Sequence, residues 1–397
     1  MKFPSDHNLN CMNILLLNYE YPPLGGGAGR ATQSIAIQLL RLGHDVDIIT
    51  SHIKFAYSEK FDCGVKVYSV PSLRNGIHDC GVKGAFTYMF FAYFKMLKLF
   101  KHKKFDAVHY FFSLPTAFLS LLPGKHRSLP FIVSLRGSDV PGYDMFNKKL
   151  QLLHKLFLPL TKLIWKRAES IIAVTDSLKQ TALLTSPQQE IKVIPNGIDI
   201  NIFAPSLNGK RNDNEFHLIT VSRLIERKGI QYILKALAEI KDKSIRLMLI
   251  GEGVYENELR LLCGRLNLNN QVAFMGFQKR DIIPSYFAQS DVFILPSLAE
   301  AFGNVIAEAM ACGLPVIGGN EGGIPDLVDA ENGILVKPGS IEEIKSAIIF
   351  LKNNKEVRII MGKNNIKKME QNYKWEKAAL AYSRIYEECL NGSSRRN

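Results

Sequence analysis

Nowhere in the sequence does an apolar run approach the ~20 residues that a membrane-spanning helix needs. The opening "MKFPSDHNLNCMNILLLNYEY" offers only Met12 with Ile14 to Leu17 as an apolar core, and no small-residue cleavage pattern. It reads as a ragged start before a first strand, with Met12 as an alternative start, and not as a secretory leader. The six cysteines (Cys11, Cys63, Cys80, Cys263, Cys312, Cys389) form no C-x-x-C pair and keep no histidine spacing. That speaks against a zinc site and a disulfide framework, and the expected location is the reducing cytoplasm. No Asp-x-Asp stands at a strand's end, so no metal or other cofactor is expected. The glycine loop near the start fails G-x-G-x-x-G, since Arg30 takes the sixth position counted from Gly25. It also lacks the Gly-Lys-Ser/Thr ending of a P-loop, which weakens dehydrogenase and NTPase readings.

What the chain has is length and lopsided charge. Its 397 residues exceed one ordinary core and suggest two domains, while 47% hydrophobic and 22% charged residues are globular proportions. Residues 1–196 hold 24 Lys/Arg against 13 Asp/Glu; the remainder holds 26 against 24. A basic half beside a near-neutral one points to an anionic partner for the first alone: phospholipid, nucleic acid or an acidic substrate.

Both halves alternate short β-branched runs with helical patterns, which predicts parallel sheets flanked by helices. Strands are expected at "MNILLLNY", "DVDIIT", "VKVYSV", "DAVHYFF", "FIVSLRG" and "SIIAVT", then at "FHLITVSR", "RLMLIGEG", "QVAFMGF", "VFILPS", "PVIGG" and "GILVK". The fold class is therefore α/β, two Rossmann-like doubly wound parallel-sheet domains with ligands at the carboxyl ends of the strands. The segment "KVIPNGIDINIFAP" (192–205) is the predicted linker. It gives domains of 1–196 and 197–373, with the polar tail "NGSSRRN" read as frayed.

Three clusters carry chemistry. Gly25, Gly26 and Gly27 before a helical pattern let backbone approach a ligand at a helix start, where free N–H groups favour anions. Arg223, at the end of a strand, and Lys228, before Gly229 and a helix, suit a diphosphate. In "LAEAFGNVIAEAMACGLPVI" (298–317), Glu300 falls in a loop and Glu308 in the second turn of a helix that Gly313 and Pro315 end. Carboxylates accept from sugar hydroxyls and open amides donate to phosphate, so the stretch fits a ribose, a phosphate and a second sugar. Glu308 lies among Ile306, Ala307, Ala309 and Met310, where an idle carboxylate would be costly.

With "YPPLGGGAG", "VIPNGID", "VSRLIERKG", "LIGEG", the glutamate stretch and "GGIPDLV" in this order, the chain resembles a retaining glycosyltransferase of family 4. The resemblance spans nearly the whole chain. It implies the GT-B fold, two facing Rossmann-like domains with an interdomain cleft: an acceptor-side domain and a nucleotide-sugar domain, with a last helix (374–392) crossing back to the first. Carried over, Arg223 and Lys228 meet the donor pyrophosphate, Glu308 the ribose, and Glu300 the donor sugar's hydroxyls. Phe302, Gly303, Asn304 and Val305 offer backbone to sugar and phosphate, and Phe277 with Gln278 falls near the base. Gly25 and Gly26 match the loop that closes over donor and acceptor.

The implied activity is transfer from a nucleotide sugar, UDP-sugar ranked first and GDP-sugar next, to a glycan or lipid-linked acceptor. Bacterial surface polysaccharide or lipopolysaccharide assembly is the expected setting, with no nucleic acid involved. The family's histidine in a His-Gly-x-Asp-like stretch is here Arg136, before Gly137 and Asp139. Arg136 cannot act as a base but could hold an acceptor's carboxylate or phosphate. His109 is a weaker substitute, and Asp326 replaces a usual glutamate.

The stretch 81–106 joins Phe86, Tyr88, Phe90, Phe91, Tyr93 and Phe94 to a lysine cluster. As a core helix it would pack Phe86, Phe90, Phe94 and Leu97 on the sheet; as an interfacial helix it would attach the protein peripherally to the inner face of an anionic cytoplasmic membrane. The rival readings are a non-catalytic nucleotide-sugar-binding sensor or partner subunit, a nucleic-acid-binding protein, and an epimerase on the same fold.

Overall fold

The computed structural model describes residues 10–206 and 214–393. Residues 1–9 and 394–397, parts of the segments read as a ragged start and a frayed tail, lie outside the described residues. Residues 391–393 of that tail continue a helix, Trp375–Ser393. The chain divides into two compact units, one of Met1–Gly197 and Trp375–Asn397, the other of Ile198–Lys374.

The first unit holds β1 (Asn13–Leu17), β2 (Asp45–Ser51), β3 (Ser58–Asp62), β4 (Val65–Val70), β5 (Ala107–Phe111), β6 (Phe131–Ser134), β7 (Ser170–Ala173) and β8 (Ile191–Val193). They run in the order β3-β4-β2-β1-β5-β6-β7-β8, parallel except for β3. Ile14, Leu15, Leu16 and Leu17 are all buried, as a strand covered on both faces requires. Two strands escape the sequence pattern. The exposed edge strand β3, "SEKFD", has no apolar face to signal it. It returns to β4 through Cys63 and Gly64, both at positive φ (49° and 90°), a tight two-residue hairpin. β8 takes up Lys192 and Val193, so the expected linker begins as a strand.

The second unit holds β9 (Phe216–Val221), β10 (Ile245–Ile250), β11 (Val272–Gly276), β12 (Val292–Leu295), β13 (Val316–Gly319) and β14 (Gly333–Val336). Their order is β11-β10-β9-β12-β13-β14, all parallel. This is the doubly wound arrangement, and the order reverses between β9 and β12. In sheets of this kind ligands gather at such a switch point, outside the carboxyl ends of the strands.

The helix Trp375–Ser393 belongs to the first unit's core. Its Ala378, Ala379, Tyr382, Ile385 and Tyr386 pack with Ile35, Ala36 and Leu39 of the helix Gly27–Arg41. The helix Gly81–His102 corrects the core-helix expectation. It buries Gly84, Tyr88, Ala92, Met96 and Leu99, while Phe86 (58%), Phe90 (58%) and Phe94 (51%) are exposed. Gly84 lets the buried face come close to the segment after β4, where a Cβ would lie 3.1 Å from Arg74 Cα and 3.2 Å from the Leu73 carbonyl oxygen.

Candidate functional site

In the second unit the predicted residues gather at the switch point. β9 leads through Ser222 and the exposed Arg223 into a turn, Glu226–Lys228, then Gly229 and the helix Ile230–Ile240. Gly229 sits at φ +74°, and a Cβ there would lie 2.3 Å from the Pro296 carbonyl oxygen. Only glycine lets this turn press against the loop that follows β12. The Arg227 carbonyl accepts from the Leu298 N–H (2.8 Å) and from Ser297 Oγ (3.1 Å), and the Glu300 carbonyl accepts from the Gly323 N–H (2.7 Å).

So held, Glu300 accepts a charged hydrogen bond from Lys228 Nζ. Lys228 is buried, and burial pulls its ammonium pKa below the usual lysine range; Arg227 and Arg223 push the same way, while Glu300 opposes. A cation this poorly hydrated gains from a second anion nearby. Phe302 is itself buried against Tyr373, rings 6.0 Å apart, so it offers a ligand only backbone. Gly303 (φ +89°) caps the helix Asn304–Ala311 and has no side chain to satisfy the first turn. Asn304 and Val305 open that turn.

Glu308, one turn further, is not idle. Arg280 Nη2 and Nε donate to its Oε1 at 2.7 and 3.1 Å, and the guanidinium lies 4.7 Å from the Phe203 ring centre. Arg280 follows β11 and was not singled out from the sequence; its place in "GFQKRDIIP" carries no signal beyond charge. Phe277, also after β11, is exposed, and its N–H donates to Glu252 Oε1 at 3.3 Å. Gln278 turns back to the Met275 carbonyl (2.7 Å). No group of three or more His, Cys, Asp or Glu that could hold a metal is found among the described residues.

The first unit uses its candidates differently. The Gly25 N–H donates to the Ile77 carbonyl (2.8 Å), and the Gly25 carbonyl meets His78 Nδ1 (2.8 Å). The Gly26 N–H points at Glu20 Oε2 (3.4 Å). The glycine loop thus already holds a carboxylate of its own, a residue the sequence reading passed over. Arg136, expected as an acceptor-holding cation, has partners inside the unit. It is buried, donating to Asn196 Oδ1 (2.9 Å) and the Tyr382 hydroxyl (3.1 Å), with Phe111 4.6 Å beneath it. Asp139 is likewise turned inward: its carboxylate accepts from the N–H groups of Arg136 (2.8 Å), Gly137 (3.0 Å) and Ser113 (2.7 Å). It shapes the loop after β6 and is almost fully buried. Burial raises its carboxyl pKa even so. His109, between the Tyr386 and Ser134 hydroxyls (both 2.7 Å), is a core group whose pKa burial holds well below the ordinary value, with Arg136 adding to the effect.

Comparison with known sequences now decides the family. The profile of Glycosyl transferases group 1 matches residues 207–368, and that of Glycosyltransferase Family 4 matches residues 25–202. The chain belongs to glycosyltransferase family 4. An uncharacterized glycosyltransferase of Methanocaldococcus jannaschii is 28% identical over 393 residues, 94% of this chain and 98% of the relative. The fold is GT-B, like that of sucrose-phosphate synthase from Thermosynechococcus elongatus (TM-score 0.83, 21% identity, 96% of this chain and 100% of that one). It is also like that of Anabaena HepE in complex with UDP and glucose (TM-score 0.71, 23% identity, 95% and 99%). In this glycosyltransferase, then, the paired Lys228–Glu300, the helix start after Gly303 and Glu308 all follow β9 or β12 in the second unit, while Arg136 and Asp139 are buried and hydrogen-bonded within the first.

Proposed function

We propose that this glycosyltransferase moves a sugar, with retention of configuration, from a nucleotide sugar to a hydroxyl of a glycan or glycolipid. UDP-sugar ranks first, since a structure of the same fold holds UDP and glucose; GDP-sugar comes next. The setting is assembly of bacterial surface polysaccharide or lipopolysaccharide, with peripheral attachment to the cytoplasmic membrane. The observation that carries the reading is the meeting of Lys228 and Glu300 beside exposed Arg223 and the Gly303 helix start.

In this reading Arg223, Lys228 and the helix start stabilise charge growing on the pyrophosphate, commonly a large contribution to such catalysis. Glu300 accepts from the donor sugar's hydroxyls, and Glu308 from the ribose diol, sharing its second oxygen with Arg280. The acceptor oxygen bonds to the anomeric carbon on the face the phosphate leaves. The anomeric carbon–oxygen bond to phosphate breaks, and the acceptor's proton passes to a phosphate oxygen. Phosphate charge falls to protein cations, so the reaction needs no added divalent metal.

The test is thermal stabilisation by UDP, GDP, ADP, CDP and TDP in the wild type and in Glu308→Ala. One nucleotide should raise the midpoint, with the gain lost in the variant; transfer from the matching sugar nucleotide should then persist in EDTA. No shift with any nucleotide overturns the donor reading, and loss of transfer in EDTA restored by Mn²⁺ overturns metal independence. Binding without transfer to any acceptor would favour a nucleotide-sugar sensor or partner subunit, the role that framework-bound Arg136 and Asp139 leave open.

A further inference from the structure

We propose that the outer face of the helix Gly81–His102, with Phe55 and Tyr57 just before β3, is the surface by which this protein lies on an anionic lipid membrane. The inference rests on the peripheral-attachment reading above and names its face and partner. The aromatic rings form one continuous platform. Phe91 meets Phe55 at 5.3 Å, Tyr57 at 5.9 Å and Phe90 at 5.2 Å, and Phe90 meets Phe94 at 5.0 Å. Phe55, Phe86, Phe90 and Phe91, with Phe118 and Leu122, line an open groove of about 610 Å³. Apolar surface gathered this way marks a contact site more than scattered exposed phenylalanines would.

Charge selects what covers it. The helix carries Lys83, Lys95, Lys98 and Lys101 and no acidic residue. Lys95 is occupied by Glu59 and the Tyr68 ring, but Lys83, Lys98 and Lys101 are exposed. Lys125 and Arg127, on a turn packed against the same helix, are exposed too. A second copy laid on this face would bring like charges together. An anionic bilayer takes the rings at the headgroup–acyl boundary and pairs the lysines with phosphates. The helix Lys148–Arg167 repeats the pattern, without an acidic residue and with Leu152 and Leu156 exposed.

Flotation of the full chain with phosphatidylcholine vesicles, with and without phosphatidylglycerol, tests this. The protein should float only with the anionic vesicles and less as salt rises. Loss of one lysine's charge near the surface weakens partitioning about five-fold, so Lys98→Glu with Lys101→Glu should abolish flotation. Phe90→Ser with Phe94→Ser should weaken it at least ten-fold, while far-UV dichroism and nucleotide stabilisation stay unchanged. Equal flotation with neutral vesicles, no flotation at all, or no effect of the serine pair in a folded variant overturns the proposal. So does a wild-type dimer that the serine pair dissociates, which would show a second copy on the platform. Flotation requires no sugar transfer, so its failure leaves the transferase reading standing, and loss of nucleotide binding leaves flotation standing.

Discussion

At Asp139 a carboxylate that a motif marks as chemical is consumed by its own loop. Three backbone N–H groups converge on it, and buried donors left without an acceptor cost about 1–3 kcal/mol each. Asp139→Ala is expected to lower unfolding stability by about 3 kcal/mol or more; Asp139→Asn, which keeps one acceptor oxygen, should lose less. Urea titration of both variants checks this, and equal losses would mean the N–H groups find other partners. The site's residues were legible unevenly, for a physical reason. Glu308 was found because a charge amid apolar helix neighbours needs a ligand or a partner. Arg280 was not, because an arginine in a polar loop is ordinary until its target is known. For Arg136, sequence shows a cation in a familiar place but not that it is buried against Asn196 and Tyr382, 60 and 246 residues away.

Elements were legible where one force dominates. Strands buried on both faces announce themselves as apolar runs, and twelve were expected where strands stand. β3 and β8 were missed because an exposed edge and a three-residue strand carry no such run. Of the two readings of the helix Gly81–His102, the core-helix one put the phenylalanines inward on bulk alone, whereas the face that is buried carries the small Gly84 and Ala92. Gly229 joins two elements and can be tested at that scale. Gly229→Ala puts a side chain at φ +74°, costing about 1–2 kcal/mol, and drives its Cβ into the Pro296 carbonyl. Hydrogen exchange should quicken across residues 296–303 with β1 and β5 unchanged, and nucleotide stabilisation should fall. Unchanged exchange would show that the loop is held without this contact.

Across the whole molecule, the sensitivity expected just below neutral pH comes from three buried histidines of the first unit. His44, His109 and His126 all have pKa values lowered by burial from the ordinary 6.5. Each stays neutral when folded and charges when unfolded, so its contribution is complete above pH 6.5 and is lost as pH falls toward the folded pKa. Each adds a slope of up to about 1.4 kcal/mol per pH unit. Stability measured by urea at pH 7.0 and 5.5 should therefore drop, and His109→Gln should flatten the drop; an equal drop in the variant would sink the assignment. The helix Trp375–Ser393 has another consequence, one of order in time. Residues 198–374 close their own core, whereas the first unit waits for a segment made after them. On the ribosome the first unit emerges first and is finished second. Until then Ile35, Ala36 and Leu39 lie bare, so a chain stalled before residue 375 presents a folded second unit tethered to an unsealed, adhesive first one.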